Sequence, residues 1–318
     1  MIIGELRKML SRFNRHPPSP YQPHQQISQC EATWQAAPTS LVSPIQNSPG
    51  SELCSQRSLA ADWKNQAYPF DWGILSLQKG KVLSAPLAEP PETDPLARRL
   101  EIKDRFNTTI SYANPQPASI RQDTTGDTTS HHAGRYALLG GFYADCNNYY
   151  HFWADVIADA WYLESMGVKL DELDGFILPY GQYRWQQQIL TQCGLEQKRL
   201  LPFSSFSMAS FDELVLSYRA KGGAESPSWL QTAIKAISGW QPPVSSPRKK
   251  IYLSRRDASR RRLNNEDTVI ELLKAHHFEV HECSSLTIDE QQNLFAEAGT
   301  IIAPHGAALT NIIWCSPG

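Results

Sequence analysis

The chain has 318 residues, 41% of them hydrophobic, which is enough for two domains with cores of their own. Its 30 lysines and arginines nearly balance its 32 aspartates and glutamates, leaving a net charge of −2. That balance excludes a whole-surface attraction to nucleic acid or to an anionic membrane, and no apolar run approaches the ~20 residues that span a bilayer.

Residues 1–15 place Ile2, Ile3, Leu6, Met9, Leu10 and Phe13 at roughly helical spacing, with four basic residues between them. They lack the apolar core of a signal peptide. The plainer reading is a short helix that caps a domain or is left loose; a helix lying on a membrane surface is the alternative. Residues 16 to about 60 are rich in Pro, Gln and Ser, so residues 1–60 read as a poorly ordered segment or an irregular wrap. Short apolar runs at 72–77 and 82–87 predict strands of a decorating β-element. Residues 113–134 form a Pro/Thr/Gly/His stretch too long for a plain connector. The six cysteines, Cys30, Cys54, Cys146, Cys193, Cys283 and Cys315, make no CxxC pair and read as reduced, buried thiols of a cytosolic protein.

From residue 136 the pattern becomes α/β. A buried strand is predicted at 136–143, a long helix at 148–166, a strand at 176–179 and a helix at 184–193 ended by Gly194. A strand at 213–218 and a helix at 228–237 follow. Pro242, Pro243 and Pro247 make a stiff linker, which divides residues 61–243 from a second domain at 244–318. There a strand is expected at 250–253, then a helix capped by Asn264 and running to 275, with Asp267 at its third position. A strand at 278–282 precedes a helix to 298 that opens on the capping box of Thr287 and Glu290. The last strand is at 300–303. Strands alternating with helices of 10–15 residues predict a parallel sheet buried on both faces.

In a parallel sheet the carboxyl ends of the strands share one edge, where ligands bind. That edge should gather Arg255, Arg256, Arg260, Arg261 and Arg262, which follow the first strand of the second domain, and the run 304–311, which follows the third. Arginine offers planar, permanent, multi-donor charge to a diphosphate. Gly306 would allow close backbone approach, and the helix start after it would supply free N–H groups. Surface pairing explains Arg260 and Arg261 at least as well as ligand binding does. Asn311 suits a helix–loop hydrogen bond as well as a ligand contact. Upstream, His151 and Asp155 stand four apart on one helical face, a spacing fit for a carboxylate that orients and charges an imidazole base. An ordinary i,i+4 contact is the commoner case. No Walker A loop, Gly-x-Ser-x-Gly elbow or GxGxxG is present.

These motifs together resemble glycosyltransferase family 61. The resemblance rests on Tyr252-Leu253-Ser254-Arg255-Arg256, on Arg261-Arg262-Leu263-Asn264-Asn265-Glu266, and on Glu290-Gln291 with Phe295-Ala296 and Ala298. It includes Pro304-His305-Gly306-Ala307-Ala308-Leu309-Thr310-Asn311 and, upstream, Asn148-Tyr149-Tyr150-His151-Phe152-Trp153-Ala154-Asp155. It covers roughly residues 136–318. It implies an α/β, GT-B-like architecture: two Rossmann-like domains facing a cleft, the first on the acceptor side and the second binding a nucleotide sugar. It implies transfer of a hexose or pentose, with inversion and no obligatory metal, from a nucleotide-sugar donor to a hydroxyl of a glycan or lipid-linked glycan. Capsular or exopolysaccharide synthesis is the implied setting, in the cytoplasm or peripherally at the inner face of the membrane, with no nucleic-acid partner. Arg255, Arg256, Arg262, His305, Gly306, Ala307 and Asn311 fall on the donor-binding motifs, and His151 and Asp155 on the upstream signature. The second domain is expected to be incomplete, since family members continue past Gly318. The alternative function is an inactive fragment or a nucleotide-binding module without transfer.

Overall fold

The computed structural model describes residues 32–38, 73–86, 98–103, 109–112, 129–140, 147–218, 227–243, 248–258 and 261–316. The amphipathic stretch 1–15, Cys30, Cys54, Cys146, Arg260 and most of the segment up to residue 60 lie outside the described residues. Inside that segment Ala32–Ala36 forms strand β1, antiparallel to β2 (Gly73–Gln78). Main-chain pairing to a neighbouring strand is a long-range effect that a Pro/Gln/Ser composition does not encode.

Among the described residues the first sheet has nine strands. Its parallel part runs β9-β6-β7-β8: β9 (Met208–Tyr218), β6 (Thr129–Leu138), β7 (Gly175–Leu178) and β8 (Arg199–Pro202). On the far side β9 pairs antiparallel with β2 and with β3 (Lys81–Pro86), which continues to β4 (Arg98–Lys103) and β5 (Thr109–Tyr112). The two strands predicted at 72–77 and 82–87 are therefore β2 and β3. Strand β6 starts earlier than the predicted 136, because residues 129–132 pair with Met208–Phe211 across the sheet. That pairing removes the end of the supposed 113–134 loop.

Side chains alternate across this sheet as the pleat requires. Ala137, Phe176, Leu178 and Val215 point into one apolar cluster. Tyr136, Leu138, Ile177, Leu214 and Leu216 point into a second. A helical run, α1, crosses from β6 to β7. It comprises Tyr149–His151, a π-helical segment Phe152–Ile157 and an α-helical segment Ala158–Ser165. Helix α2 (Arg184–Gln192) joins β7 to β8 and buries Gln186, Ile189 and Leu190 at the i, i+3, i+4 spacing of one face. Gly194 ends it with φ +68°, a conformation that costs a residue with a Cβ and not glycine. Helix α3 (Leu230–Ile237) buries Leu230, Ala233 and Ile234.

Among the described residues the second sheet has three parallel strands in the order β11-β10-β12: β10 (Lys249–Leu253), β11 (Glu279–His281) and β12 (Ala298–Ile302). The parallel sheet is as expected, but burial on both faces is not. Ile251, Tyr252 and Leu253 of the central strand are buried, whereas Gly299, Thr300 and Ile302 of edge strand β12 are exposed. Helix α5 (Ile288–Ala296) opens on the predicted box, with Thr287 N–H donating to Glu290 Oε2 at 2.7 Å and Glu290 N–H donating to Thr287 Oγ1 at 3.3 Å.

Helix α4 (Glu266–Ala275) departs from expectation at its start. Asn265, not Asn264, is the N-cap, and its side chain makes no cap bond, so Asp267 is the second helical residue. The reason is Glu266, which turns inward. Its buried carboxylate accepts from the Tyr252 hydroxyl (2.9 Å) and the Arg255 N–H (3.0 Å), and these bonds set the helix start.

The two sheets share one apolar cluster. It runs from Phe152, Trp153 and Ile157 through Trp314 to Phe295, Ile251 and Leu253. Trp314 meets Trp153 edge-on, with ring centroids 5.3 Å apart, and also packs on Trp240.

Candidate active site

The site grows from the carboxyl edges of both parallel sheets. In the first, β6 ends at Leu138 and Gly140 turns with φ +69°. Gly140 N–H donates to Asp159 Oδ2 at 2.8 Å, which fastens the strand end to the α-helical part of α1. Asn148 caps the start of α1 by accepting from His151 N–H. His151 Nδ1 then meets Asp155 Oδ2 at 2.7 Å, with Asp155 almost wholly buried and His151 partly so. A carboxylate at that distance holds the ring by Nδ1 and leaves Nε2 as the nitrogen outside the bond. The predicted long helix is present, but Phe152–Ile157 is widened to a π-helix, a form often found at functional sites.

In the second sheet, β10 ends at Leu253 and hands on to Ser254 and Arg255. Strand β12 ends at Ile302, and the chain turns through Pro304, His305 and Gly306 into the 3-10 helix Ala307–Trp314. Gly306 is buried and its backbone is extended at φ −179°, so the position does not need glycine for its dihedrals. It needs glycine for space, because a Cβ there would overlap the Arg255 guanidinium. Arg255 therefore lies directly over the His-Gly turn. Beneath it, burial raises the Glu266 carboxyl. Hydrogen bonds from Arg255 N–H, Tyr252 and Ser254, with the charge of Arg256, outweigh that and hold it below its ordinary range. Burial and the Glu266 carboxylate push the Tyr252 hydroxyl up to about 12.

The predicted donor residues do not all converge. Arg255 and Gly306 are in contact. Arg256 turns outward and ion-pairs with Asp267 of α4. Arg261 and Arg262 are exposed on the turn before α4, Arg261 with φ 57°. His305 and Ala307 are exposed at the His-Gly turn. Asn311 is fully buried and spans the sheets. It accepts from the Tyr149 hydroxyl (2.8 Å) and the Trp314 indole N–H (3.2 Å), and donates to Gln291 Oε1 (2.7 Å). The Asn311–Tyr149 bond and the packing of Tyr149–His151 on the 3-10 helix hold the start of α1 against the helix that follows the His-Gly turn.

A family model for glycosyltransferase 61 matches residues 149–318, more than half of the chain. The chain belongs to the glycosyltransferase 61 family. The matched region begins at Tyr149, so it takes in the His151–Asp155 pair as well as Arg255 and the His-Gly turn. Membership carries glycosyltransferase activity, with a sugar donor and an acceptor as substrates. Among curated proteins none matches the chain. No described helix is long and apolar enough to cross a membrane. Cys193, Cys283 and Cys315 are free thiols, and burial pushes Cys193 and Cys283 up to about 12.

Sequence reasoning missed Glu266 and Asp159 as parts of this candidate site. Both are buried carboxylates that accept from backbone N–H groups at strand ends. The usable signal for Asp159 was its place four residues after Asp155, on the same helical run. For Glu266 it was an acidic residue at the first helical position after an arginine-rich turn.

Proposed function

We propose that this glycosyltransferase moves a hexose or pentose from a nucleotide-sugar donor to an acceptor hydroxyl with inversion, between two Rossmann-like halves arranged in the GT-B manner. The observation that carries the reading is the convergence of two edges. His151, held by Asp155 at 2.7 Å, sits on a turn packed against the helix that follows Gly306, where Arg255 lies. His151 Nε2 takes the acceptor proton. The acceptor oxygen forms its bond to the anomeric carbon as the bond from that carbon to the diphosphate oxygen breaks. The leaving nucleoside diphosphate keeps the bonding pair, and Arg255 stabilises its charge. His305, Ala307 and the Gly306 backbone flank that position, and Asn311 holds the His-Gly helix against the His151 turn. The acceptor is a glycan or lipid-linked glycan of the kind used in capsular and exopolysaccharide synthesis, met in the cytoplasm or at the inner membrane face.

The test is transfer from a panel of uridine and guanosine diphosphate sugars, with the anomer of the product read by NMR. A product of opposite anomeric configuration to the donor is expected. A retained configuration contradicts the single displacement.

A further inference from the structure

Segments that follow three different strands are tied together through one side chain. Helix α1 follows β6, the 3-10 helix Ala307–Trp314 follows β12, and the 3-10 turn Cys283–Ser285 follows β11. Tyr149 belongs to the first and Asn311 to the second, and Gln291 of α5 reaches the third. The Tyr149 hydroxyl donates to Asn311 Oδ1 at 2.8 Å, and Asn311 Nδ2 donates to Gln291 Oε1 at 2.7 Å. Gln291 Nε2 then donates to the Cys283 carbonyl at 3.1 Å and to the Leu286 carbonyl at 3.2 Å. An unbroken chain of hydrogen bonds thus runs from the residue two before His151 to the turn at the carboxyl end of β11.

Every link has a forced direction. An indole N–H can only donate, so the 3.2 Å bond from Trp314 fixes Oδ1 as the side of Asn311 that faces Tyr149. Backbone carbonyls can only accept, so Cys283 and Leu286 fix Nε2 as the end of Gln291 that faces the turn, and Oε1 is left for Asn311. Neither amide can flip without setting two donors or two acceptors face to face. Asn311 is fully buried and Gln291 nearly so, between elements whose Trp153, Trp314, Leu294 and Phe295 share one apolar cluster. Cohesion alone needs no amides there, since burying them costs desolvation that only complete pairing recovers. What a paired, directional network adds to apolar packing is register: it specifies one alignment of the three segments.

We propose that Tyr149, Asn311 and Gln291 are positioning residues for sugar transfer, which hold the His151 turn in register with the ligand-bearing edge of the second sheet and pass ligand occupancy there to the His151 ring. That the ligand is a nucleotide sugar rests on the transfer reading above; that the two edges are held in one register does not.

The test uses the full chain and the His151 ring signal in NMR, assigned by its loss in His151→Gln. Saturating uridine or guanosine diphosphate should move that signal in wild type. Tyr149→Phe removes one hydroxyl and keeps the ring, and Gln291→Met removes both ends of the amide and keeps the length. In each variant the nucleotide should bind within about threefold of the wild-type Kd, while the movement of the His151 signal falls by about half or more. Kinetics give a second readout. Each variant should lower kcat about tenfold or more at unchanged KM for the donor. The double variant should lose little more than the larger single loss, because both substitutions break one chain. No movement of the signal in wild type, equal movement in wild type and both variants, or additive losses in kcat overturns the positioning role. Movement that depends on Tyr149, without transfer from any nucleotide sugar, leaves the positioning role standing and overturns the transfer reading. Transfer with inversion, and a His151 signal that moves alike in all three proteins, does the reverse.

Discussion

His151 and Asp155 are useful to each other only as a pair. The buried carboxylate fixes which ring nitrogen is engaged, and the ring in turn gives the carboxylate a hydrogen-bonding partner. Asp155→Asn keeps the shape and removes the charge, so kcat for sugar transfer should fall by roughly 10²–10⁴-fold, the range for losing a positioned acid–base group. Adding His151→Ala should cost little more, because groups that act as a unit are not additive. Steady-state kinetics of Asp155→Asn, His151→Ala and the double variant check this, and additive losses would contradict it. Glu266 makes a separate, pH-dependent prediction. Its folded carboxyl lies below the ordinary 4.5, so its contribution to stability is present above that value and is lost as pH falls through the depressed folded value. Glu266→Gln should therefore flatten the loss of thermal stability below about pH 4.5. Glu266→Ala, which leaves the Tyr252 hydroxyl and the Arg255 N–H without their acceptor, should cost about 1–3 kcal/mol in denaturant unfolding at neutral pH. An acid-stability profile of Glu266→Gln that overlays wild type would contradict this.

At the scale of elements, local signals in the sequence were reliable where the cause was local. The Thr287–Glu290 box and the Gly194 stop are read directly from neighbouring residues, and the structure has both. The start of α4 was not legible. Asn264 offered a cap, but Tyr252 and the Arg255 backbone, distant in sequence, claimed Glu266 and moved the boundary. The π-helical segment was also hidden, since Phe152–Ile157 is buried throughout and no exposed position marks its wider turn. Gly306 was legible as a close-approach position, but not for what approaches it. The sequence suggested a ligand, whereas the space is held by Arg255. Gly306→Ala should therefore displace Arg255, whose end is flexible enough to yield. Its effect on unfolding should stay within about 1 kcal/mol, while nucleotide affinity falls about tenfold, the range of a charge-assisted hydrogen bond. Thermal shift and titration with uridine or guanosine diphosphate separate the two. A loss of stability with no change in affinity would contradict the assignment.

Across the whole molecule, the linker prolines suggested two domains and the family resemblance implied a cleft between them; the two sheets are joined by a common core. Trp153, Trp240 and Trp314 pack together. Gln192 of α2 and Gln292 of α5 exchange amide hydrogen bonds at 2.9 and 3.0 Å, and Gln231 donates to the Ile313 carbonyl. No sequence pattern announces such reciprocal contacts, because each partner alone looks like an ordinary polar helix residue. Trp314→Ala should cost about 3–5 kcal/mol and loosen both halves together, so calorimetry should show one transition at a lower temperature. Two resolved transitions would mean independent cores. The shared core also fixes the distance between the His151 turn and the His-Gly turn, on which the proposed transfer depends. The most direct test of that proposal is the single-turnover rate of sugar transfer from a bound nucleotide sugar in His151→Ala against wild type. A rate reduced by roughly 10²–10⁴-fold, with nucleotide affinity unchanged, is the predicted result. Equal rates would contradict the proposal.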